Sequence, residues 1–377
     1  METALLLIGG LIALVGGAEV LVRGASGLAA RFGLSSLVIG LTVVAYGTSA
    51  PEVAVSLDAV AQGNDSIALG NVVGSNTMNV LLILGLSAVI APLTVGRQLI
   101  RIDIPILIGV SFLGFVMAFD GRFSRLDGVL LLGCAVAYTA FTVMEGRKQT
   151  KRDAAAAAAA GVETEALAHT PLPLQLLFVV LGILGLKFGA DWFVEGAITV
   201  GQWFGLTDTV IGLTVVALGT SLPEVATAIV AAVKGERDMA VGNVVGSNIF
   251  NVVVILGAAA LGDPDVFTVE PSVLAFDLPV MVAVALTLAP VALARGRIGR
   301  REGLLFLTIY AAYTTYLIAN SQGSSEVPAV DEAVLGYVLP LFVIALIVLA
   351  VMGLRRDPAS SGPHETVPHR PSSGDRD

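Results

Sequence analysis

The chain has 377 residues, of which 55% are hydrophobic and 14% charged, and its mean hydropathy is +0.87. Soluble domains carry roughly one-quarter charged residues, so this composition excludes an ordinary soluble protein and indicates a polytopic membrane protein. The net charge of −9 is spread over loops on both sides of the membrane and indicates neither a nucleic acid nor a particular protein partner. The lipid bilayer is the partner that the composition predicts.

Apolar stretches of about 20 residues cross a bilayer as helices. Eleven stretches of this kind follow one another, near residues 3–22, 33–59, 67–90, 101–119, 127–145, 172–195, 206–232, 239–261, 272–293, 302–320 and 333–354. The first is preceded by an acid, Glu2, and is followed by no small-residue cleavage site. We therefore interpret it as a retained transmembrane helix and not as a signal peptide.

Basic residues predict the orientation of these helices. If the N-terminus is outside, the inner loops hold sixteen Lys and Arg residues, and the outer loops hold only Arg122 and Arg125. Cytoplasmic loops carry the basic excess in membrane proteins. We expect the N-terminus outside and the C-terminus in the cytoplasm.

Several kinds of chemistry are excluded by the residue inventory. Cys134 is the only cysteine, so the chain forms no intrachain disulfide, and His169, His364 and His369 all lie in polar segments. The spans therefore offer neither thiolate pairs nor imidazoles to a transition metal. No nucleophile–base pair is visible, so we predict neither an enzyme nor a cofactor.

An internal repeat organises the chain. Residues 40–57 and 212–229 are identical at 13 of 18 positions, and residues 69–85 and 241–257 at 12 of 17. Each half contains about five spans, and an odd number of spans inverts the second half in the membrane. Inverted repeats with interrupted helices are typical of secondary transporters, which bind their substrate near the midplane between the repeats.

The predicted fold class is an all-α polytopic membrane protein with two inverted five-helix repeats and an extra C-terminal helix. The expected units are a first repeat at 1–145 with its motif at 40–85, a cytoplasmic linker at 146–171, a second repeat at 172–320 with its motif at 212–257, an eleventh transmembrane helix at 333–354, and a disordered cytoplasmic tail at 357–377.

The repeated segments GTSAPE and GTSLPE place a proline and a glutamate inside apolar runs. Proline removes a backbone donor and disturbs the preceding turn, so each segment is expected to break its helix and to expose carbonyl oxygens. Helical spacing places four residues of each copy on one face. These are Ala45, Thr48, Ser49 and Glu52 in the first copy and Ala217, Thr220, Ser221 and Glu224 in the second.

The following span of each half adds further polar residues on one face. They are Ser75 and Asn79 in the first half and Ser247 and Asn251 in the second. Gly70, Gly74, Gly242 and Gly246 are expected to allow close helix contacts. Asn71, Asn76, Asn243 and Asn248 are either ligands or interhelical hydrogen-bonding groups, and we favour the second role.

An acid near the bilayer centre costs roughly 2.5–3.5 kcal/mol and is a functional candidate. Two such acids in one pocket repel each other, and a bound cation relieves both the burial and the repulsion. The available ligands are hard oxygens, which favour Ca²⁺, Na⁺ or Mg²⁺ over Zn²⁺ or Cu. A site shared by two moving halves suits the flexible coordination of Ca²⁺ better than the strict octahedron of Mg²⁺.

Other charged residues are interpreted as structural or gating. Lys187 and Asp191 are four residues apart and are expected to pair. Asp103 and Asp277 each stand two residues before a proline, and we interpret them as helix-terminus features and not as ligands.

GTSAPE with GNVVGSNTMN, and GTSLPE with GNVVGSNIFN, resemble the paired alpha-repeats of the cation/calcium exchanger superfamily, and most closely its prokaryotic sodium/calcium exchanger branch. The resemblance covers about residues 1–320. It implies a ten-helix core and alternating access in the plasma membrane of a bacterium or archaeon, with Ca²⁺ and Na⁺ as the transported ions.

The resemblance also implies a role for each motif residue. Ca²⁺ ligands are implied at Glu52 and Glu224, with backbone carbonyls from Thr48 and Thr220. Na⁺ sites are implied at Ala45, Ser75 and Glu224 on one side and at Ala217, Thr220, Ser247 and Glu52 on the other. Ser49, Ser221, Asn79 and Asn251 are implied to line the same site.

Asn251 is a departure from the family pattern, because some sodium-coupled relatives have an aspartate there, and the extra span at 333–354 is another. Proton/calcium exchange on the same fold is therefore an alternative to sodium coupling. A cation channel or a calcium-sensing membrane protein is an alternative of a different class.

Overall fold

The structure is a computed structural model that describes residues 2–159, 171–204, 217–263 and 266–321. The predicted eleventh span, the tail and parts of the linker and of the second motif lie outside these residues. The helices of the described part are α1 (Glu2–Phe32), α2 (Ser36–Thr48), α3 (Ala50–Ala61), α4 (Asp65–Ile90), α5 (Leu99–Asp120), α6 (Arg125–Ala159), α7 (Leu172–Trp203), α8 (Ala217–Gly219), α9 (Leu222–Val233), α10 (Arg237–Gly262), α11 (Leu278–Arg295) and α12 (Arg300–Ser321).

Seven helices of the described part are long and apolar enough to cross a membrane, and the α2–α3 pair, bent by 44°, counts as an eighth when it is taken as one span. Helix α12 has 22 residues, which is also enough to cross the hydrocarbon core. The prediction of an all-α membrane protein is confirmed.

One predicted boundary was wrong because it stopped at a charged residue. The first span was expected to end at residue 22, but α1 continues through Arg23 and Arg31 to Phe32 and ends before Gly33, which has a φ of +62°. The fifth span, expected at 127–145, agrees with the apolar segment Arg125–Lys148, and its helix α6 continues beyond that segment to Ala159, through part of the predicted linker. Arginine and alanine are good helix formers, so the loss of apolar character does not end the helix.

Four two-residue strands show the inverted symmetry of the repeats. They are β1 (Leu93–Thr94), β2 (Arg122–Phe123), β3 (Phe267–Thr268) and β4 (Arg297–Ile298). β1 pairs antiparallel with β4, and β2 pairs antiparallel with β3. Each pair therefore joins the first repeat to the second, at opposite ends of α4.

Two equivalent turns define the two faces of the molecule. Gly63 connects α3 to α4 with a φ of +74°, and Gly235 connects α9 to α10 with a φ of +86°. Asp65, just after the first turn, accepts hydrogen bonds from the backbone N and Oγ1 of Thr268 in β3, both at 2.8 Å. We call the side with β2 and β3 the Gly63 face and the side with β1 and β4 the Gly235 face.

Helices α4 and α10 form the centre of the fold. In the most apolar 18-residue segment of each helix, 72% of the residues of α4 and 83% of those of α10 are buried. In α1, α5, α6 and α7 the buried share is only 28% to 33%. The spans that carry the repeated asparagines and glycines are therefore the innermost ones.

Helices α1 and α7 pack against each other antiparallel along a seam of glycines. A Cβ on Gly17 would lie 2.7 Å from the backbone N of Leu186, and one on Gly189 would lie 2.6 Å from the backbone N of Leu14. The glycines of this seam recur every seven residues at Gly10, Gly17 and Gly24 of α1 and at Gly182, Gly189 and Gly196 of α7. Backbone contacts this close are possible only between glycine-bearing faces.

On α7, the predicted pair of Lys187 and Asp191 is present, with 2.7 Å between Nζ and Oδ2.

Candidate ion-binding site

Both repeated motifs interrupt their helices where the prolines predict. Helix α2 ends at Thr48 and α3 begins at Ala50, and the intervening Ser49 has φ −83° and ψ 7°. In the second repeat, Ser221 has φ −98° and ψ 5° and precedes α9. Pro51 and Pro223 have no N–H to donate, so the carbonyls of Gly47 and Gly219 lose their helical partners. Both breaks lie beside the central helices α4 and α10.

The two motif glutamates lie inside the protein and are bound across the repeats. Glu52 is 1% exposed and Glu224 is fully buried. Ser49 Oγ of the first repeat donates to Glu224 Oε1 at 2.8 Å, and Ser221 Oγ of the second repeat donates to Glu52 Oε1 at 3.2 Å. The sequence predicted each serine on the same helix face as its own glutamate, and it gave no sign of this exchange of partners.

Each glutamate keeps one oxygen that no group in the described residues satisfies. Glu52 Oε2 and Glu224 Oε2 are buried without a hydrogen-bond partner there. The same holds for several neutral oxygens of the predicted site, namely Thr220 Oγ1, Ser247 Oγ, Asn79 Oδ1 and Asn251 Oδ1. Buried polar atoms are almost always satisfied, so a set of unsatisfied acceptors indicates a ligand.

Four asparagines connect α4 and α10, and we call them the asparagine quartet. Asn76 Nδ2 donates to the backbone carbonyl of Asn248 at 3.1 Å, and Asn248 Nδ2 donates to that of Asn76 at the same distance. Asn79 Nδ2 donates to Asn248 Oδ1 at 2.8 Å, and Asn251 Nδ2 donates to Asn76 Oδ1 at 3.0 Å. Asn76 and Asn248 thus join α4 to α10 by hydrogen bonds, which is the interhelical role that the sequence favoured for them.

The outer two members of the quartet, Asn79 and Asn251, use their Nδ2 groups in it and keep Oδ1 unpaired. An aspartate at position 251 has no amide N–H to donate to Asn76. Asn251, the residue that departs from the family pattern, therefore supplies a hydrogen bond that an aspartate at this position could not donate.

Of the remaining predicted site residues, Thr48, Ala45 and Ser75 have contacts in or beside the site, and Ala217 cannot be placed. Thr48 Oγ1 lies 3.3 Å from the carbonyl of Ala45 and 3.3 Å from Asn243 Oδ1. The Ala45 carbonyl, an implied ligand, also accepts the N–H of Ser49 at 3.0 Å. Ser75 Oγ lies 3.3 Å from Ser221 Oγ, next to Glu52. The side chain of Ala217 lies outside the described part.

The prediction that the motif glycines allow close contacts between helices is confirmed for Gly242 and Gly246 of the second repeat. A Cβ on Gly242 would lie 2.9 Å from the carbonyl of Leu37, and one on Gly246 would lie 2.7 Å from that of Leu41. The positions that correspond to these leucines in the second repeat, 209 and 213, are not described, so the same prediction for Gly70 and Gly74 stays a prediction.

Asn71 has the interhelical hydrogen-bonding role that the sequence favoured, although its partner Ser56 was not predicted. Asn71 Nδ2 donates to the backbone carbonyl of Glu52 at 3.1 Å and to Ser56 Oγ at 2.9 Å, which fixes the glutamate's own helix against α4. Ser56 lies one helical turn beyond Glu52, and this spacing was the available signal.

Asp103 and Asp277 lie at the start of an α-helix, as their interpretation as helix-terminus features predicted, but the sequence missed their hydrogen-bond partners. Both stand where a π turn passes into an α-helix, but neither side chain caps that helix. Tyr138 donates to Asp103 Oδ1 at 3.2 Å, and Tyr313 donates to Asp277 Oδ1 at 3.0 Å. The tyrosines lie a whole span away in sequence, so local spacing does not reveal them.

The donor set fits a hard cation. The described residues contain no group of three or more His, Cys, Asp or Glu side chains suited to a metal. The two glutamates nevertheless repel each other electrostatically, and hydroxyl and amide oxygens surround them. Two carboxylates with neutral oxygens suit Ca²⁺ or Na⁺, which bind oxygen ligands without strict geometry.

Comparisons with known proteins identify the family of the chain. The family described as "Sodium/calcium exchanger protein" matches residues 2–144 and 174–319. The chain is 35% identical over 278 residues to the sodium/calcium exchanger MaX1 of Methanosarcina acetivorans, covering 66% of this chain and 79% of that protein. It is 38% identical over 221 residues to the inner membrane protein YrbG of Escherichia coli, covering 58% and 66%.

The structure also matches a solved structure of the sodium-calcium exchanger NCX_Mj soaked with zero Na⁺ and Ca²⁺. The TM-score is 0.71 at 32% sequence identity, and the match covers 84% of this chain and 99% of that one. With a family match over most of its length and the same fold as a known exchanger, the chain is a membrane transporter that belongs to the sodium/calcium exchanger protein family.

Proposed function

We propose that the chain exchanges Ca²⁺ for Na⁺ across the membrane by alternating access, with both ions bound between α3, α4, α9 and α10. The observation that carries this proposal is the pair of buried glutamates, Glu52 and Glu224, each bound by a serine of the opposite repeat and each with one unsatisfied oxygen. A cation held there contacts both repeats at once, so its binding is coupled to their relative position.

We assign the Ca²⁺ ligands to the carboxylates of Glu52 and Glu224 and to the backbone carbonyls of Thr48 and Thr220. We assign one Na⁺ site to Ala45, Ser75 and Glu224 and the other to Ala217, Thr220, Ser247 and Glu52. Ser49, Ser221, Asn79 and Asn251 line the site. The unsatisfied oxygens of Thr220, Ser247, Asn79 and Asn251 support this assignment, because each is buried and none has a partner within the described residues.

Charge neutralisation explains why such a site exchanges ions and does not leak. Two bare carboxylates in a low-dielectric interior repel each other and lack the solvation of water. Either one Ca²⁺ or several Na⁺ ions remove this penalty, so the loaded protein passes through the occluded state easily. The empty protein crosses it rarely, and each crossing with Ca²⁺ is followed by a return with Na⁺.

Helices α1 and α7 are the moving part in this proposal. Their glycine seam supports motion as one unit, because backbone contacts between them leave no layer of flexible side chains. Both helices are mostly exposed at their surfaces, whereas α4 and α10 are held together by the asparagine quartet. We infer that the α1–α7 pair slides over a fixed core.

The proposed setting is the plasma membrane of a prokaryote, with the N-terminus outside. The excess of Lys and Arg in the loops of the Gly235 face supports a cytoplasmic position for that face. The Gly63 face is then the outer one.

The test is uptake of radiolabelled Ca²⁺ into proteoliposomes that contain the full chain. Vesicles loaded with Na⁺ are diluted into Na⁺-free buffer, and vesicles with a pH jump and no Na⁺ are run in parallel. Uptake that requires the Na⁺ gradient and is absent from protein-free vesicles supports the proposal. Uptake driven only by the pH jump overturns sodium coupling in favour of proton coupling, and flux that depends on no counter-ion indicates a channel.

A further inference from the structure

Two polar contacts hold helix α1 to the core at the Gly235 face. Lys234 Nζ, at the C-terminal end of α9, donates to Glu19 Oε1 of α1 at 2.9 Å. Ser26 Oγ, two turns further along α1, donates to Glu236 Oε1 at 3.3 Å. Arg23 lies between Glu19 and Ser26 on α1 and also attracts Glu19. Because α9 and the turn that follows it lie outside the α1–α7 pair, these contacts join the proposed moving part to the rest of the protein.

The α1–α7 pair by itself obeys the symmetry of the repeats. A Cβ on Gly17 would lie 2.7 Å from the backbone N of Leu186, and one on Gly189 would lie 2.6 Å from that of Leu14. Gly189 is the counterpart of Gly17, and Leu186 is the counterpart of Leu14, so these are the same contact made from either helix. A difference between the two faces therefore arises where the pair meets the core.

The residues equivalent to the ion pair are not joined at the Gly63 face. In the alignment of the two repeats they are Asp191 of α7 and Gln62 at the C-terminal end of α3. Asp191 Oδ2 accepts from Lys187 Nζ of its own helix at 2.7 Å, and Gln62 Nε2 donates to Asp58 Oδ2, one turn earlier, at 2.7 Å. No hydrogen bond or ion pair joins Asp191 to Gln62 in the described structure. Each of them is bound locally, whereas the ion pair of the Gly235 face links two helices.

The charges of the sequence make this difference permanent. Inverted repeats move against each other between two states, and their symmetry makes the contacts of one state equivalent to those of the other. The second state therefore brings Asp191 toward Gln62 and takes Glu19 away from Lys234. Lys234 carries a positive charge and Gln62 carries none. Only the state seen in this structure gains an ion pair between α1–α7 and the core.

We propose that the ion pair of Glu19 and Lys234 is a latch that biases the protein toward the state in which α1 is docked at the Gly235 face. The ion pair breaks each time the α1–α7 pair slides, and no equivalent ion pair forms at the Gly63 face. The side chains of Lys234 and Glu19 are 33% and 50% exposed, and exposed ion pairs are weak. A weak latch shifts the balance of the two states without preventing the crossing that each transport cycle needs. This inference rests on the proposed function, because it takes the α1–α7 pair as the moving part.

The first test measures the two states as distances between two spin labels by electron paramagnetic resonance. The full-length protein carries C134S, and the labels are placed at A30C on α1 and S66C on α4, which are exposed positions at opposite faces. Sliding of α1 over α4 changes this distance, so each state gives its own peak. K234Q should lower the ratio of the docked peak to the other peak about threefold, as expected for loss of an exposed ion pair. K234R should keep the wild-type ratio.

A double-variant comparison separates the latch from general destabilisation. K234Q should have no further effect in an E19Q background, because the ion pair is already absent there. K148Q is the matched control, since Lys148 pairs with Glu145 within α6 alone, and it should leave the ratio unchanged. A ratio that K234Q leaves unchanged overturns the proposal, and so does an equal effect of K234Q with and without E19Q.

A gain of charge at the Gly63 face tests the symmetric second state. Q62K/D58N gives Asp191 a positively charged partner and removes the acid that would hold the new lysine locally. This double variant should favour the second state about threefold, and D191N should abolish the shift. An unchanged ratio in Q62K/D58N, or a shift that D191N does not affect, overturns the proposal.

Transport separates this inference from the proposed function. The apparent KM for Ca²⁺ at each membrane face depends on the share of molecules that are competent to bind there. K234Q should therefore change the KM about threefold, in opposite directions, in right-side-out and inside-out membrane vesicles. Equal KM values for wild type and K234Q at both faces overturn the latch. Absence of counter-ion-dependent exchange in the wild type overturns the proposed function instead, and the spin-label distances, which need no transport, still test the latch.

Discussion

Ser49 in the first repeat donates a hydrogen bond to Glu224 in the second, with 2.8 Å between Oγ and Oε1. Its counterpart, Ser221, donates to Glu52 at 3.2 Å. The two halves of the chain therefore share their carboxylates, and neither half contains a complete site. Under the proposed function, a bound cation is therefore part of the contact between the repeats.

The serine bonds lead to a prediction about affinity. S49A should raise the KM for Ca²⁺ about tenfold, because a hydrogen bond to a charged group contributes roughly 1.5–3 kcal/mol and its loss frees the Glu224 carboxylate to rotate. Ser66 is exposed on α4, so S66A is the matched control and should behave as wild type. Transport kinetics in proteoliposomes give both values, and an unchanged KM in S49A contradicts the positioning role.

Removal of either carboxylate charge should stop exchange. E52Q and E224Q keep the size of the side chain but leave one negative charge in the site, which no longer neutralises Ca²⁺. We expect Ca²⁺ uptake at the level of protein-free vesicles for each variant. D58N, an exposed acid on the same helix as Glu52, is the control and should transport normally. Near-normal flux in E52Q or E224Q excludes that glutamate as a ligand.

The asparagine quartet predicts a specific pattern of coupling. Asn251 donates directly to Asn76, so the variants N76A and N251A remove the same hydrogen bond. Asn76 and Asn79 share no hydrogen bond with each other and have only the partner Asn248 in common. Each single variant should lower stability by roughly 1–2 kcal/mol. Thermal unfolding in detergent should show a double variant N76A/N251A that loses less than the sum, and a smaller deviation from additivity in N76A/N79A. Additivity in both pairs contradicts the network.

How far the sequence predicts this molecule depends on the range of each interaction. The repeated motifs and the hydropathy pattern can be read directly from the sequence, and they predict the two inverted halves. Pro51 and Pro223 predict the helix breaks, because a proline disturbs only the turn that precedes it. Partner choice across the repeats is a different matter. The bond from Ser49 to Glu224 joins the two repeats, and the bond from Tyr313 to Asp277 joins two distant segments of the second repeat. Periodicity relates neither pair, because each contact depends on tertiary packing.

The same limit applies to helix ends. Arg23 ended the first predicted span, yet α1 continues to Phe32, since helix propensity outlasts the apolar stretch. In contrast, the pairing of Lys187 with Asp191 was predicted correctly, because residues four apart on a helix are neighbours in any fold that keeps the helix.

The seam between α1 and α7 gives the last prediction. In G17V the new side chain would lie 2.7 Å from the backbone N of Leu186 and 2.9 Å from the carbonyl carbon of Gly185, so the two helices must separate. Gly16 is the neighbouring residue, and no atom of the described structure lies within 4 Å of its added Cβ. We expect G17V to lose most Ca²⁺ exchange and G16V to retain it, although both add the same side chain to the same helix. Crosslinking of cysteines placed across the seam should fall in G17V alone. If G17V transports normally with the seam intact, close contact between α1 and α7 is not required, and the proposal that they move as one unit is wrong.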